Sequence, residues 1–125
     1  LLIVAALSKN QLDDYFHLSK ELGMRALIEV HTPSELESAL EISPEIVGVN
    51  SRNLKTLDVD AQAFAQLIPQ IPSTIARVAE SGISTRADVE FAQEHGATAI
   101  LVGEALVRSG NSNVAMAQLL GRLAQ

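Results

Sequence analysis

The sequence predicts an α/β protein in which five strand–helix units follow one another on a parallel sheet. Two features of the pattern carry this. Apolar runs begin near residues 1, 25, 46, 74 and 98, and the 21–28 residues between starts match the length of one strand–helix unit. The runs also lack polar–apolar alternation, as expected of parallel strands buried on both faces, while the segments between them show helical spacing.

Residues 1–6 form the first predicted strand, inside the apolar run from Leu1 to Leu7. That run is too short to span a membrane. With no basic segment and no small-residue cleavage site, it also makes a poor signal peptide. A domain rarely opens in its own core, so N-terminal strands are expected to be missing. Ser8 caps a helix over 9–22, with Leu12, Tyr15, Phe16, Leu18 and Leu22 near helical spacing and Gly23 past its end. Residues 25–30 are the second strand. Thr32-Pro33-Ser34-Glu35 opens the next helix, which runs to 42. Thr32 is its N-cap, Pro33 takes the first helical position, and Glu35 is set to close a capping box.

Residues 46–50 are the third strand, followed by a polar loop from Ser51 to Asp58 and a helix over 60–69. Residues 74–80 are the fourth strand, and Ser84-Thr85 starts a helix that ends at Gly96. Residues 98–102 are the fifth strand, ending at Gly103. A turn of helix over 104–108 and a last helix over 112–124 complete the chain.

At 125 residues, with 47% apolar and 19% charged residues, the chain reads as one globular domain over 1–125. A net charge of −6 without a basic run excludes nucleic acid as a partner. The absence of cysteine excludes disulfides, thiol catalysis and Cys-ligated zinc, and fits a cytoplasmic protein. No His pair has metal-ligand spacing, and there is no Ser-centred elbow, Walker loop or dinucleotide glycine pattern. Neither a metal nor a cofactor is expected.

Two architectures accommodate five such units: an open doubly wound sheet, or part of a (β/α)8 barrel. Five units in half the usual barrel length, opening inside a strand, favour a partial TIM barrel. In both, ligands bind at the carboxyl ends of the strands. Those ends carry Glu29 and His31, Asn50 and Arg52, Glu80, Ser81 and Gly82, and Gly103 and Glu104. A capping or ion-pairing role accounts for any one of them. Glu, Asn and Glu on three successive strand ends point to a site, because charge in an aliphatic core is costly unless used. Ser81-Gly82 and Gly103 let backbone N–H groups approach an anion, and barrel phosphate sites use the loops after the last two strands. Glu104 fits there only if its carboxylate points away. His17 and His95 read as helix-surface residues, His31 as a helix-entry residue, and Lys9 and Lys55 as solvated loop lysines.

Five runs carry a family resemblance: Leu2-Ile3-Val4-Ala5-Ala6-Leu7, Ile28-Glu29-Val30-His31, Gly48-Val49-Asn50-Ser51-Arg52-Asn53-Leu54-Lys55-Thr56, Ala79-Glu80-Ser81-Gly82-Ile83 and Leu101-Val102-Gly103-Glu104-Ala105-Leu106. In order and spacing the chain resembles the fourth to eighth βα units of indole-3-glycerol phosphate synthase. The resemblance implies a lyase of tryptophan biosynthesis that acts, without cofactor or metal, on a carboxyphenylamino deoxyribulose phosphate. Such an enzyme closes the pyrrole ring and releases carbon dioxide and water. Glu29 matches the family's general base, and Asn50 and Glu80 match residues that hold substrate and orient the reacting groups. Arg52 and Leu54 match positions near the anthranilate part. Ser81, Gly82 and Gly103 match phosphate-binding positions, with Glu104 contributing its backbone N–H.

The resemblance further implies a lysine and a glutamate on the family's first strand and a lysine on its third. This chain has no lysine at a strand end, so alone it is expected to be inactive. It is expected to pair with the missing N-terminal half or to self-associate through its first strand. The alternatives are a non-catalytic phosphate-binding half-barrel or assembly module, and another sugar-phosphate isomerase or epimerase barrel.

Overall fold

The computed structural model describes residues 1–122. Five strands form one sheet: β1 (Leu2–Ile3), β2 (Leu27–Val30), β3 (Ile46–Asn50), β4 (Ala76–Glu80) and β5 (Ala99–Leu101). All neighbours are parallel, and the order across the sheet is β1-β2-β3-β4-β5. An order that follows the chain, with no reversal, excludes a doubly wound sheet, which turns back at a switch point. Right-handed crossovers in one direction bring the connecting helices to one side, as in a barrel wall. The fold is α/β, a partial TIM barrel of five units.

The helices are α1 (Lys9–Glu21), α2 (Pro33–Glu41), α3 (Gln62–Leu67), α4 (Arg86–Glu94), α5 (Glu104–Arg108) and α6 (Ser112–Leu119). Ser8 closes a capping box with Gln11 at the start of α1, and Thr85 closes one with Asp88 at the start of α4. Among the described residues, no helix is long and apolar enough to cross a membrane.

Four expectations need correction. The first strand spans two residues rather than six, because Val4–Ala6 tighten into a 3-10 turn in which the Leu7 N–H donates to the Val4 carbonyl. The helix expected over 60–69 is shorter, with α3 passing into a 3-10 turn at Ile68–Gln70. Glu35 does not close a box on Thr32. Its Oε2 accepts from the backbone N–H of His31, one residue earlier, at 2.7 Å. The last helix ends at Leu119, and the expected stretch at 123–124 lies outside the described residues.

The core lies between one sheet face and the helices. Ile28, Val30, Val47, Val49 and Ala79 are buried there against Leu12, Phe16, Leu36, Phe64 and Leu67. Strand alternation sends Glu29, Gly48, Asn50, Val78 and Glu80 to the opposite face. Register sets Glu29 beside Gly48, and Asn50 beside Glu80 on the next level. A parallel sheet brings all these strand ends to one edge, which gathers distant residues into one place.

Candidate functional site

Two carboxylates lie at the centre. Glu29 on β2 and Glu80 on β4 are only 4% and 3% exposed. Asn50, on the strand between them, donates from Nδ2 to Glu29 Oε1 at 3.0 Å. Its Oδ1 accepts from the Arg52 backbone N–H at 2.9 Å, so the amide is held at both ends. His31 Nε2 lies 3.3 Å from the same Glu29 oxygen, and its Nδ1 lies 3.2 Å from Glu35 Oε2. Glu29 therefore accepts a bond from Asn50 and faces the His31 ring.

Glu80 has no such support. Its Oε1 is buried and finds no hydrogen-bond partner among the described residues. Burial, then the negative charge of Glu29, push the Glu80 carboxyl up to about 7. Near neutral pH the Glu80 carboxyl therefore takes up a proton. A carboxyl raised in this way can hold a proton near neutral pH and act as an acid in the site.

Beside this pair the chain makes a tight turn after β4. Ser81 and Gly82 both adopt left-handed backbone, with φ of +66° and +67°. For Ser81 that conformation costs about 1–2 kcal/mol. Ser51, itself buried, holds the turn. Its Oγ donates to the Ser81 carbonyl at 3.1 Å, and its N–H donates to the Glu80 carbonyl at 2.9 Å. Gly82 is required for space as well as for φ, since a Cβ there would lie 2.4 Å from Val59 Cγ1. The N–H groups of Gly82, Ile83 and Gly103 meet no acceptor among the described residues.

Glu80, Ser81, Gly82, Gly103 and Glu104 line one cleft of about 590 Å³, with Arg52 and Arg108 at its side. The Glu104 carboxylate lies 2.9 Å from Arg52 Nη2 and 3.2 Å from Arg108 Nη2. Two guanidinium groups thus offset the negative charge that would otherwise oppose an anion in this cleft.

Arg52 is fixed by the loop after β3. It donates from Nη1 to the Leu57 carbonyl at 3.1 Å, and its backbone forms an antiparallel bridge with Val59. Asn53 ties the loop tip, accepting from the N–H groups of Lys55 and Thr56 at 2.8 and 3.1 Å. A second cleft of about 420 Å³ opens on this side, lined by His31, Asn50, Arg52, Leu54 and Lys55 among others.

Apart from Glu29, the expected site residues fall in two adjoining clefts that share Arg52. Glu29, which accepts from Asn50, lines neither. Leu54 stands with Asn50, apart from the Ser81–Gly82 turn. Reasoning from sequence did not single out Ser51 or Gly48. Gly48 carried a readable signal, because an isolated glycine inside an apolar strand marks a close approach. His17 and His95 make local helix contacts, with Nδ1 at 2.9 and 2.8 Å from the carbonyls of Asp13 and Phe91. Lys9 pairs with Glu41.

The sequence profile of the indole-3-glycerol phosphate synthase family matches residues 1–119. The chain belongs to that family. It is 51% identical over 121 residues to the indole-3-glycerol phosphate synthase of Kineococcus radiotolerans, and 48% identical over 120 residues to that of Mycolicibacterium vanbaalenii. Each alignment covers 96% of this chain and 44% of the relative. The chain therefore spans less than half the length of these curated relatives. Among solved structures it resembles the BexX/CysO complex of Amycolatopsis orientalis, with a TM-score of 0.61, 24% identity, and coverage of 94% of this chain and 54% of that one. It also resembles the native KDPGal structure, with a TM-score of 0.67, 19% identity, and coverage of 87% and 52%. At these identities the two structures speak to the fold alone.

Proposed function

We propose that this chain is the C-terminal part of an indole-3-glycerol phosphate synthase barrel, a single domain over 1–125 that carries the phosphate side of the active site. The observation that carries the reading is the buried Glu29–Glu80 pair standing beside a turn with free backbone N–H groups. Ring closure needs an acid at the ketone oxygen and a base at the ring carbon, and Glu80, pushed up to about 7, can hold a proton near neutral pH beside Glu29. Glu29 serves as general base, while Asn50 and Glu80 hold substrate and orient the reacting groups. Ser81, Gly82, Gly103 and the Glu104 backbone bind the phosphate, whose binding energy positions the reacting carbon. Arg52 and Leu54 face the anthranilate part. The reaction uses no metal or cofactor and runs in the cytoplasm.

The lysines expected of the family belong to strands preceding these five, so the working enzyme is this chain joined to that half. The uncovered edges of β1 and β5 are where it joins. In its absence, copies of the chain associate through β1.

The test is indole-3-glycerol phosphate formation by the 125-residue chain, alone and after mixing with the N-terminal half of a related synthase. We expect no turnover alone and turnover on mixing. Normal turnover by the chain alone would refute the division of labour. A folded mixture without turnover would favour a phosphate-binding module instead.

A further inference from the structure

Glycine in the middle of a strand weakens it, because it adds backbone entropy to the unfolded chain and packs no side chain. Gly48 sits at the centre of β3 with strands on both sides. Its φ lies outside the left-handed range, so any L residue would fit its backbone. What it supplies is space. A Cβ at this position would lie 1.7 Å from Glu80 Oε1 and 2.8 Å from Glu80 Cδ. The next atom, Leu27 Cδ1 at 3.1 Å, is the end of a flexible side chain that can give by a few tenths of an ångström. The side chain of Glu80 therefore leans back across β3 and rests where position 48 has none. Gly48 is also the direct register partner of Glu29.

We propose that Gly48 is the positioning residue of the carboxylate pair: its missing side chain is the seat that lets the Glu80 carboxyl lie across β3 against Glu29. Any larger residue would lift Glu80 out of this seat and separate the two groups. The proton held between them would then be lost to solvent, and Glu80 would titrate as an ordinary carboxylate. The consequence for ring closure rests on the function proposed above. The seat itself rests on geometry alone, and its test needs no turnover.

The experiment compares the chain with Gly48→Ala, Glu80→Ala and the double variant Gly48→Ala/Glu80→Ala. Carboxyl-carbon NMR follows Glu80 with pH, and denaturant unfolding gives the stabilities. In Gly48→Ala the Glu80 midpoint should fall by about one pH unit or more, as expected when a like charge and burial no longer act on it. The destabilisation caused by Gly48→Ala should disappear in the Glu80→Ala background, since the clash is with that side chain. An unchanged Glu80 midpoint, or additive losses in the double variant, would overturn the proposal. If Gly48→Ala does not fold, the double variant decides. Recovery to the stability of Glu80→Ala supports the seat, and failure to fold overturns it.

Discussion

Glu80 couples the site to stability. Its carboxyl titrates at about 7 when folded, against 4.5 as the ordinary value, so between these limits the folded chain binds more protons than the unfolded one. Stability from this group is therefore fully present below pH 4.5 and is lost as pH rises to about 7. At about 1.4 kcal/mol per pKa unit the loss is at most about 3 kcal/mol, less what solvent screening removes. Glu80→Gln removes the titrating proton and keeps the shape. Urea unfolding from pH 4.5 to 8 should show the parent losing stability relative to Glu80→Gln across that window, and parallel curves would sink the assignment. That a carboxylate sits at this strand end was legible in the residues themselves, since polar groups end three successive apolar strands. That burial and the Glu29 charge would raise the Glu80 carboxyl was not legible. That depends on how Glu80 is buried against Glu29 and on its Oε1 finding no partner among the described residues, which is a matter of side-chain aim rather than sequence spacing.

Loops and strand ends tell a similar story. The caps at Ser8 and Thr85 were readable because their bonds are local, three residues apart. The box expected at Thr32 failed for a local reason too, as the His31 N–H won the Glu35 carboxylate. The short β1 was hidden because an apolar run looks alike as strand or turn. Val4–Ala6 follow a strand that pairs only with β2 among the described residues, and an internal bond to Leu7 replaces further ladder. Ser51 was hidden for the opposite reason, since its partner lies thirty residues away. By clamping Ser81, it ties the loop after β3 to the turn after β4, and so joins the two clefts. In Ser51→Ala the turn loses one bond, worth about 1 kcal/mol. Titration with inorganic phosphate should show roughly fivefold weaker binding with the fold retained, taking that loss at about 1.4 kcal/mol per tenfold. Equal affinity in both chains would remove Ser51 from the cradle.

At the scale of the whole molecule, the sheet has two unpaired sides. β1 and β5 each pair with one strand among the described residues, and at β5 the side chain of Leu101 is 51% exposed. Unpaired edges present rows of backbone N–H and C=O groups to any strand that can add to them. In a closed eight-stranded barrel the remaining strands bridge these same two edges, so an added half-barrel and a second copy compete for them. The chain should therefore show a mass above 13.3 kDa that rises with concentration in sedimentation equilibrium. A lysine in β1, as Ile3→Lys, opposes edge pairing by placing charge on the strand and should shift the population to monomer. Adding the N-terminal half of a related synthase should replace the self-association with a heterodimer of defined mass, and turnover should appear only in that species. A parent chain that stays monomeric at high concentration would exclude pairing between copies, leaving the complementary half as the partner that the β1 and β5 edges fit.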